Sequence, residues 1–469
     1  MQRVLTQIND DANARRLRIT ALLLLAAGLL LRIYFLLRRP FIASDSLLYQ
    51  DIAQNWLHAH IYGLSTGVPP HPTLIRLPGY PAILAACAWL FDRWLHPAIG
   101  TIRSFLPVLW LQVFIDLATC WLVSRIARRL FGIRAGIAAL TLACLCPFTA
   151  NYVAVPLTET CTLFFLALAF DTLAIWLNEP SAPRLILIAT ALSASVLLRP
   201  DQGLLAVCIL PAMLAAKPSG SLRKRLAPIL LCALLAALPF VPWTLRNLHT
   251  FHVLQPLAPK LANDPGEVSP TGFQRWFRTW AIDFTATQDA YWNYPEDPVL
   301  IDDLPTRAFD TPEQRDQTAA LLNRAAAIHR LDPVVEDEFR TLAAERIRAH
   351  PVRYYALLPA ARLLDMCLYP RVEMLPIAER WWQFRSHPKQ TIFALLYAAL
   401  NLAYFALALA GFPEAFRANR LLTLSMAAYI VLRCALLLTL DNAEQRYTLE
   451  FFPILIVFAA ALFRENRTA

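Results

Sequence analysis

Long apolar runs separated by short polar segments recur along nearly the whole chain. A helix needs about 20 mostly apolar residues to cross a bilayer. On that rule the pattern predicts spans at Ile19–Leu37, Phe105–Ser124, Ala135–Ala150, Pro156–Leu177, Leu185–Leu198, Leu204–Ala216, Leu226–Leu245, Thr391–Ala410, Leu421–Leu440 and Leu449–Phe463. The two short runs that flank Arg199-Pro200-Asp201 read as a hairpin whose tip reaches one face. Tyr80–Phe91 is apolar but short, as a re-entrant or interfacial helix would be. Val352–Tyr369 is interrupted by Arg353, Arg362 and Asp365, which suits a helix lying on the membrane surface. The expected fold class is an all-α polytopic membrane bundle of about ten or more helices, with external juxtamembrane helices and a small α-rich external domain.

Composition agrees with that pattern. Of 469 residues, 57% are hydrophobic and 16% charged, where soluble domains carry roughly 25% charge. The 12 glycines include no Gly-x-Gly spacing, which excludes Gly-rich nucleotide cradles. The nine cysteines lie almost entirely within apolar stretches and form neither a disulfide framework nor a metal-type spacing. His58-Ala59-His60 does not put both rings on one helical face, and no metal site is expected.

Charge sets the orientation. With the N-terminus inside, the internal segments 1–18, 125–134, 178–184, 217–225, 411–420 and 464–469 hold 17 Lys and Arg and five acids. That +12 exceeds the +9 of the whole chain, so the basic balance reports topology and not a nucleic-acid partner. Arg38 and Arg39 fall on the opposite face. Three domains follow: a bundle over 1–245 with a first external loop at 40–103, an external region at 246–390, and returning helices at 391–469.

The polar residues then gather on one face. Ser44-Asp45-Ser46 follows the first span, with Ser44 or Asp45 a candidate helix cap and Asp45 alternatively a carboxylate at headgroup depth. Arg76 stands in a Pro- and Gly-rich turn, either snorkelling to lipid or holding a phosphate, as a planar, permanently charged guanidinium does well. Thr158-Glu159-Thr160, Arg199-Pro200-Asp201, Pro242-Trp243-Thr244-Leu245-Arg246-Asn247 and Asp441-Asn442-Ala443-Glu444-Gln445-Arg446-Tyr447 all fall at outer ends of spans. Ionisable groups at membrane depth are functional candidates. Deeper, Asp116 is expected to pair with Arg433, with Gln112 on the same face as Asp116.

A carboxylate and several arginines at headgroup level suit a sugar carried on a polyprenyl phosphate. The phosphate leaves as a monoester and needs charge stabilisation more than a proton. One carboxylate then serves as general base on the acceptor hydroxyl, and attack opposite the phosphate inverts the anomeric centre. A transporter or flippase for a lipid-linked envelope precursor is the alternative, but it would hold its site near the midplane between repeated halves, and no repeat is seen.

The motifs also resemble the GT-C superfamily of membrane glycosyltransferases. They are most similar to bacterial family 39 members, relatives of protein O-mannosyltransferases and the lipid A aminoarabinose transferase. The matching pieces are Asp45 in Ser-Asp-Ser-x-x-Tyr, Arg76 in Arg-Leu-Pro-Gly-Tyr-Pro, Gln112-x-x-x-Asp116 before Arg-Arg-Leu-Phe-Gly, Thr-Glu159, Leu-Arg199-Pro-Asp201, Pro-Trp243-x-x-Arg246-Asn247 and Glu444-x-Arg446-Tyr447. The resemblance implies a GT-C-like bundle, Asp45 as catalytic carboxylate, Glu159 as a second acid, Arg76 on the donor phosphate and Arg446 on phosphate or sugar. Tyr49, Tyr80, Arg199, Asp201, Arg246, Glu444 and Tyr447 are expected to bind substrate. Unlike some relatives, the chain has one carboxylate at 45–46 and Ile75 before Arg76, so no metal or other cofactor is implied. Hexosyl or pentosyl transfer to a glycan, lipid or protein hydroxyl on the periplasmic face of a bacterial inner membrane is the expected activity.

Overall fold

The computed structural model describes residues 2–66, 69–95, 98–216 and 221–465. Lys217 and Arg467, which entered the charge count, lie outside the described residues. The chain divides into two units: 1–258 with 403–429 and 449–469, and 259–402 with 430–448.

The first unit begins with α1 (Gln2–Arg38), α2 (Ser44–Gln54), α3 (Gly79–Leu95) and α4 (Ile102–Phe131). It continues through α5 (Ile133–Cys144), α6 (Pro147–Tyr152), α7 (Glu159–Trp176), α8 (Ala182–Leu198), α9 (Gly203–Ala215), α10 (Leu222–Ala237) and α11 (Phe240–Phe251). Among the described residues six helices are long and apolar enough to cross a bilayer. A seventh is counted if α10 and α11, bent by 44° at Leu238-Pro239, form one span. Gly79–Phe91, Ile133–Cys144, Ala182–Leu198 and Pro200–Ala215 are shorter apolar helices. The fold is thus an all-α multi-pass bundle, its sole sheet among the described residues being a two-stranded hairpin, Gly63–Leu64 antiparallel to His71–Pro72.

Two expected spans are broken, for local reasons. Ala135–Ala150 splits into α5 and α6 because Pro147 cannot donate to the helix before it and opens the next one instead. Leu226–Leu245 bends at Pro239 for the same reason.

Deep in the unit, Arg32 of α1 carries the main ionic bond. It is fully buried, and its Nε donates to Asp116 Oδ2 at 2.7 Å. Its Nη1 donates to the carbonyls of Gly28 and Cys144 at 2.9 and 2.8 Å. The expected Asp116–Arg433 pair is therefore absent. Arg433 lies in the second unit, where its Nε donates to the Tyr447 carbonyl at 3.0 Å. Arg32 sits within the apolar run Leu29-Leu30-Leu31-Arg32-Ile33, where only its charge marks it, and a lone cation in a span needs a partner. Asp171 of α7 is buried and paired with Arg125 and Arg129 of α4. These pairs tie α1, α4 and α7, since a charge left unpaired at such depth costs several kcal/mol.

The second unit holds α12 (Thr271–Phe277), α13 (Phe284–Ala286), α14 (Pro312–Ile328), α15 (Pro333–Ala349) and α16 (Leu358–Leu368). Its core is aromatic: Phe273, Trp276, Phe277 and Trp280 pack with Phe339, Leu321 and Leu322. Gly272 lets α12 approach α15, because a Cβ there would stand 1.8 Å from the Glu336 carbonyl oxygen. The buried Glu336 carboxylate accepts from the Gly272 and Phe273 N–H groups at 2.7 and 3.1 Å, and so caps α12 from another helix. α17 (Pro388–Ala418), α18 (Arg420–Leu437) and α19 (Phe452–Ala460) complete the chain.

Candidate active site

α2 carries Asp45. Its N-cap is Ala43, whose N–H donates to Ser46 Oγ at 3.2 Å. Ser44 is thus the first helical residue and neither it nor Asp45 caps the helix. Asp45 turns to Arg76, whose Nη2 donates to Oδ1 at 2.9 Å. Both side chains keep partial exposure, 30% for Asp45 and 23% for Arg76, so solvent or a ligand reaches them.

The loop bearing Arg76 is held from several sides. Arg246 of α11 donates to the carbonyls of Thr73 and Tyr62, each at 2.7 Å. Its guanidinium also lies over the rings of Tyr62, Trp243 and Phe251. The Tyr62 hydroxyl donates to the Arg76 carbonyl at 3.0 Å. Leu74 and Leu77 anchor the loop in an apolar cluster with Ile52, Tyr62 and Trp243. Arg246, expected to touch substrate, also clamps this loop.

Gly79 brings the same loop against the end of α8, since a Cβ there would stand 2.5 Å from the Leu197 carbonyl oxygen. Two residues on, Arg199 is the C-cap of α8. Its Nη1 donates to Glu159 Oε1 at 3.0 Å, and the guanidinium also pairs with Asp201 at 3.3 Å and Glu450 at 3.7 Å. Glu159 and Glu450 are almost fully buried. Gln202 donates to Glu450 at 3.2 Å and accepts from the Tyr429 hydroxyl at 2.8 Å. Glu450 joins the candidate residues only in three dimensions: it lies at the start of the last apolar run, where its charge alone distinguishes it.

Tyr49 stands between the two ionic groups. Its ring lies under the Arg76 guanidinium, 5.9 Å from the centroid. Burial pushes its phenol up to about 12, with Arg76 opposing and the charges of Asp45, Glu159 and Arg199 also acting on it. It is therefore a neutral hydroxyl at working pH. Tyr80 packs edge-on against Tyr49. It is fully buried and donates to Gln112 Oε1 at 2.8 Å, and Gln112 in turn donates to the Val155 carbonyl at 2.9 Å. Tyr80 thus supports Tyr49 from behind.

Asp45, Arg76, Tyr49, Glu159, Arg199 and Asp201 are brought together in the first unit. Glu444, Arg446 and Tyr447 form a cluster of their own in the second. Glu444 Oε1 accepts from the Tyr447 hydroxyl and from Asn442 Nδ2, both at 2.7 Å, and Arg446 Nε lies 2.5 Å from Oε2. The Arg446 guanidinium covers the Tyr447 ring.

A multi-pass helical bundle with a half-open acid–guanidinium pair on a helix next to the end of a span is the class these features define. Residues 88–245 match the model of a family described as dolichyl-phosphate-mannose-protein mannosyltransferase. Solved structures give further similarity. The archaeal oligosaccharyltransferase AglB from Archaeoglobus fulgidus, in complex with an inhibitory peptide and a dolichol-phosphate, is 12% identical with a TM-score of 0.47, over 94% of this chain and 50% of its own. The chain thus spans about half the length of that protein. ArnT from Cupriavidus metallidurans, bound to undecaprenyl phosphate, is 14% identical with a TM-score of 0.39, over 94% of this chain and 77% of its own. No curated protein matches the chain in sequence.

Proposed function

We propose that the chain is an inverting glycosyltransferase that moves a sugar from a polyprenyl-phosphate donor to an acceptor hydroxyl at the outer face of a bacterial inner membrane. The observation that carries this reading is the half-exposed Asp45–Arg76 pair beside Tyr49, backed by the Glu159–Arg199–Asp201 group with its buried Glu159. A lipid-linked phosphate offers Arg76 two non-bridging oxygens that share its negative charge and accept N–H bonds from the guanidinium. In the proposed reaction the bond from the sugar C1 to the phosphate oxygen breaks, and its electron pair leaves with the phosphate. The acceptor oxygen bonds to C1 from the opposite face, and its proton passes to the Asp45 carboxylate. The products are polyprenyl phosphate and the glycosylated acceptor. Glu159 acts through Arg199, fixing its guanidinium near Tyr49. Tyr80 and Arg246 position Tyr49 and the Arg76 loop, and Glu444, Arg446 and Tyr447, a cluster within the second unit, bind substrate in this reading. The stretch 1–245 serves as the catalytic bundle, 246–390 faces the acceptor and 391–469 returns the chain to the membrane. A transporter would need polar groups near the midplane left open for cargo, whereas Arg32 and Asp116 are spent on each other and on carbonyls.

Arg76→Ala tests the donor contact. Transfer assayed against donor concentration is expected to show donor KM raised about 10- to 100-fold, the loss of one charge-assisted bond to phosphate. An unchanged KM removes Arg76 from the donor site. Orientation is tested with Ser386→Cys, an exposed position just before α17. In a background with Cys367 and Cys434 replaced, the remaining cysteines being buried, an impermeant maleimide is expected to label intact cells from outside. Labelling only after lysis reverses the topology.

A further inference from the structure

The second unit contains a cavity of about 490 Å³ that the proposed chemistry does not use. Its lining includes Trp280, Asp283, Asp289, Asp303, Arg380 and Trp382. The volume falls in the range of sites for small ligands, roughly 300–1,000 Å³. The aromatic side is built rigidly. Trp280 is buried in the core of the unit. Trp382 is 45% exposed and packs edge-on against Trp381 at 5.8 Å. Trp381 in turn donates to the Tyr369 hydroxyl at 2.8 Å, and Tyr369 also lines the cavity.

The charges are unevenly used. Arg307 pairs with Asp283 at 2.6 Å, Arg380 pairs with Asp303 at 3.2 Å, and Asp302 bonds Arg315. Among the described residues the Asp289 carboxylate has no hydrogen-bond or ion-pair partner. Burial and the nearby Glu379, Asp303 and Asp283 raise its pKa, against Arg380. The cavity is therefore negative, and an anionic ligand is disfavoured. A ligand that fits must offer a face for an indole ring, and hydroxyls or an ammonium for a carboxylate. A saccharide offers both.

We propose that this cavity binds the saccharide portion of the acceptor, a sugar without anionic groups, stacked on Trp382 and held through its hydroxyls or amine by Asp289. The assignment of the saccharide as acceptor rests on the glycosyl-transfer reading; binding itself does not. The test therefore uses full-length purified Asp45→Asn protein, in which no turnover is expected. Titration calorimetry is run with the glucosamine tetramer, the N-acetylglucosamine tetramer and glucose 6-phosphate. At least one tetramer is expected to bind saturably. Trp382→Ala should weaken that binding at least tenfold, and Asp289→Asn should weaken the glucosamine tetramer more than the acetylated one. Unchanged thermal midpoints confirm that both surface variants fold. Failure of both tetramers to bind, affinities unaltered by both variants, or equal binding of glucose 6-phosphate overturns the proposal. If sugar binds here and Asp45 proves dispensable for transfer, the catalytic assignment fails and the binding site stands.

Discussion

Asp45→Asn is expected to abolish sugar transfer while leaving the protein folded and inserted. The amide keeps the shape of the side chain and can still accept a hydrogen bond from Arg76, but it cannot take up a proton. General-base catalysis contributes about 10²- to 10⁴-fold, so kcat should fall by at least two orders of magnitude. The folded state should be little affected because the Asp45–Arg76 pair is partly solvated, with side chains 30% and 23% exposed, and exposed ion pairs contribute about 0–1 kcal/mol. The check is a transfer rate per folded molecule together with a thermal midpoint in detergent. Activity above a tenth of wild type refutes the base assignment.

Arg199→Ala is expected to act on the fold. Three carboxylates converge on this guanidinium, and those of Glu159 and Glu450 are 3% and 1% exposed. Removing the cation leaves two buried acids close together with little to offset them. Breaking a buried pair costs about 3–5 kcal/mol. The variant should show a sharply lower yield of monodisperse protein and a lower unfolding midpoint. Adding Glu159→Gln and Glu450→Gln should restore part of both, because the uncompensated charge is gone. If the single variant is as stable as wild type and only its KM changes, Arg199 is a substrate contact and not the keystone of this end of the bundle.

The contrast between these two residues shows what a linear reading can reach. Both stood out as charges at outer ends of spans, and hydropathy with the loop charge count was enough to place them there. Their different roles depend on partners far away in the chain. Arg76 lies 31 positions from Asp45, and Glu450 is joined to Gln202 across 248. Nothing in local spacing encodes such pairings. Arg246 illustrates the same limit: it reads as an arginine at a span end, and its bonds to the Thr73 and Tyr62 carbonyls, 173 and 184 positions away, are not encoded nearby. The error at Asp116 was of another kind. Its partner Arg32 was visible as a lone cation inside the first apolar run, and the rule that membrane-embedded charges come in pairs would have found it. Helix breaks at Pro147 and Pro239 follow from proline chemistry, but Pro211 and Pro228 sit inside continuous helices, so proline alone does not mark a break. The aromatic core that joins α12 to α15 was not legible, because Gly272 and Glu336 meet only in three dimensions.

The central claim is transfer from a lipid-phosphate sugar through Asp45. Its most direct test is mass spectrometry of lipid extracts from cells that lack the chain, cells that carry Asp45→Asn, and cells that carry wild type at equal protein level. A monosaccharide linked to polyprenyl monophosphate should accumulate in the first two and disappear in the third, while one envelope glycan, lipid or protein loses the same sugar. No accumulation without the chain, or an Asp45→Asn extract indistinguishable from wild type, would contradict the account.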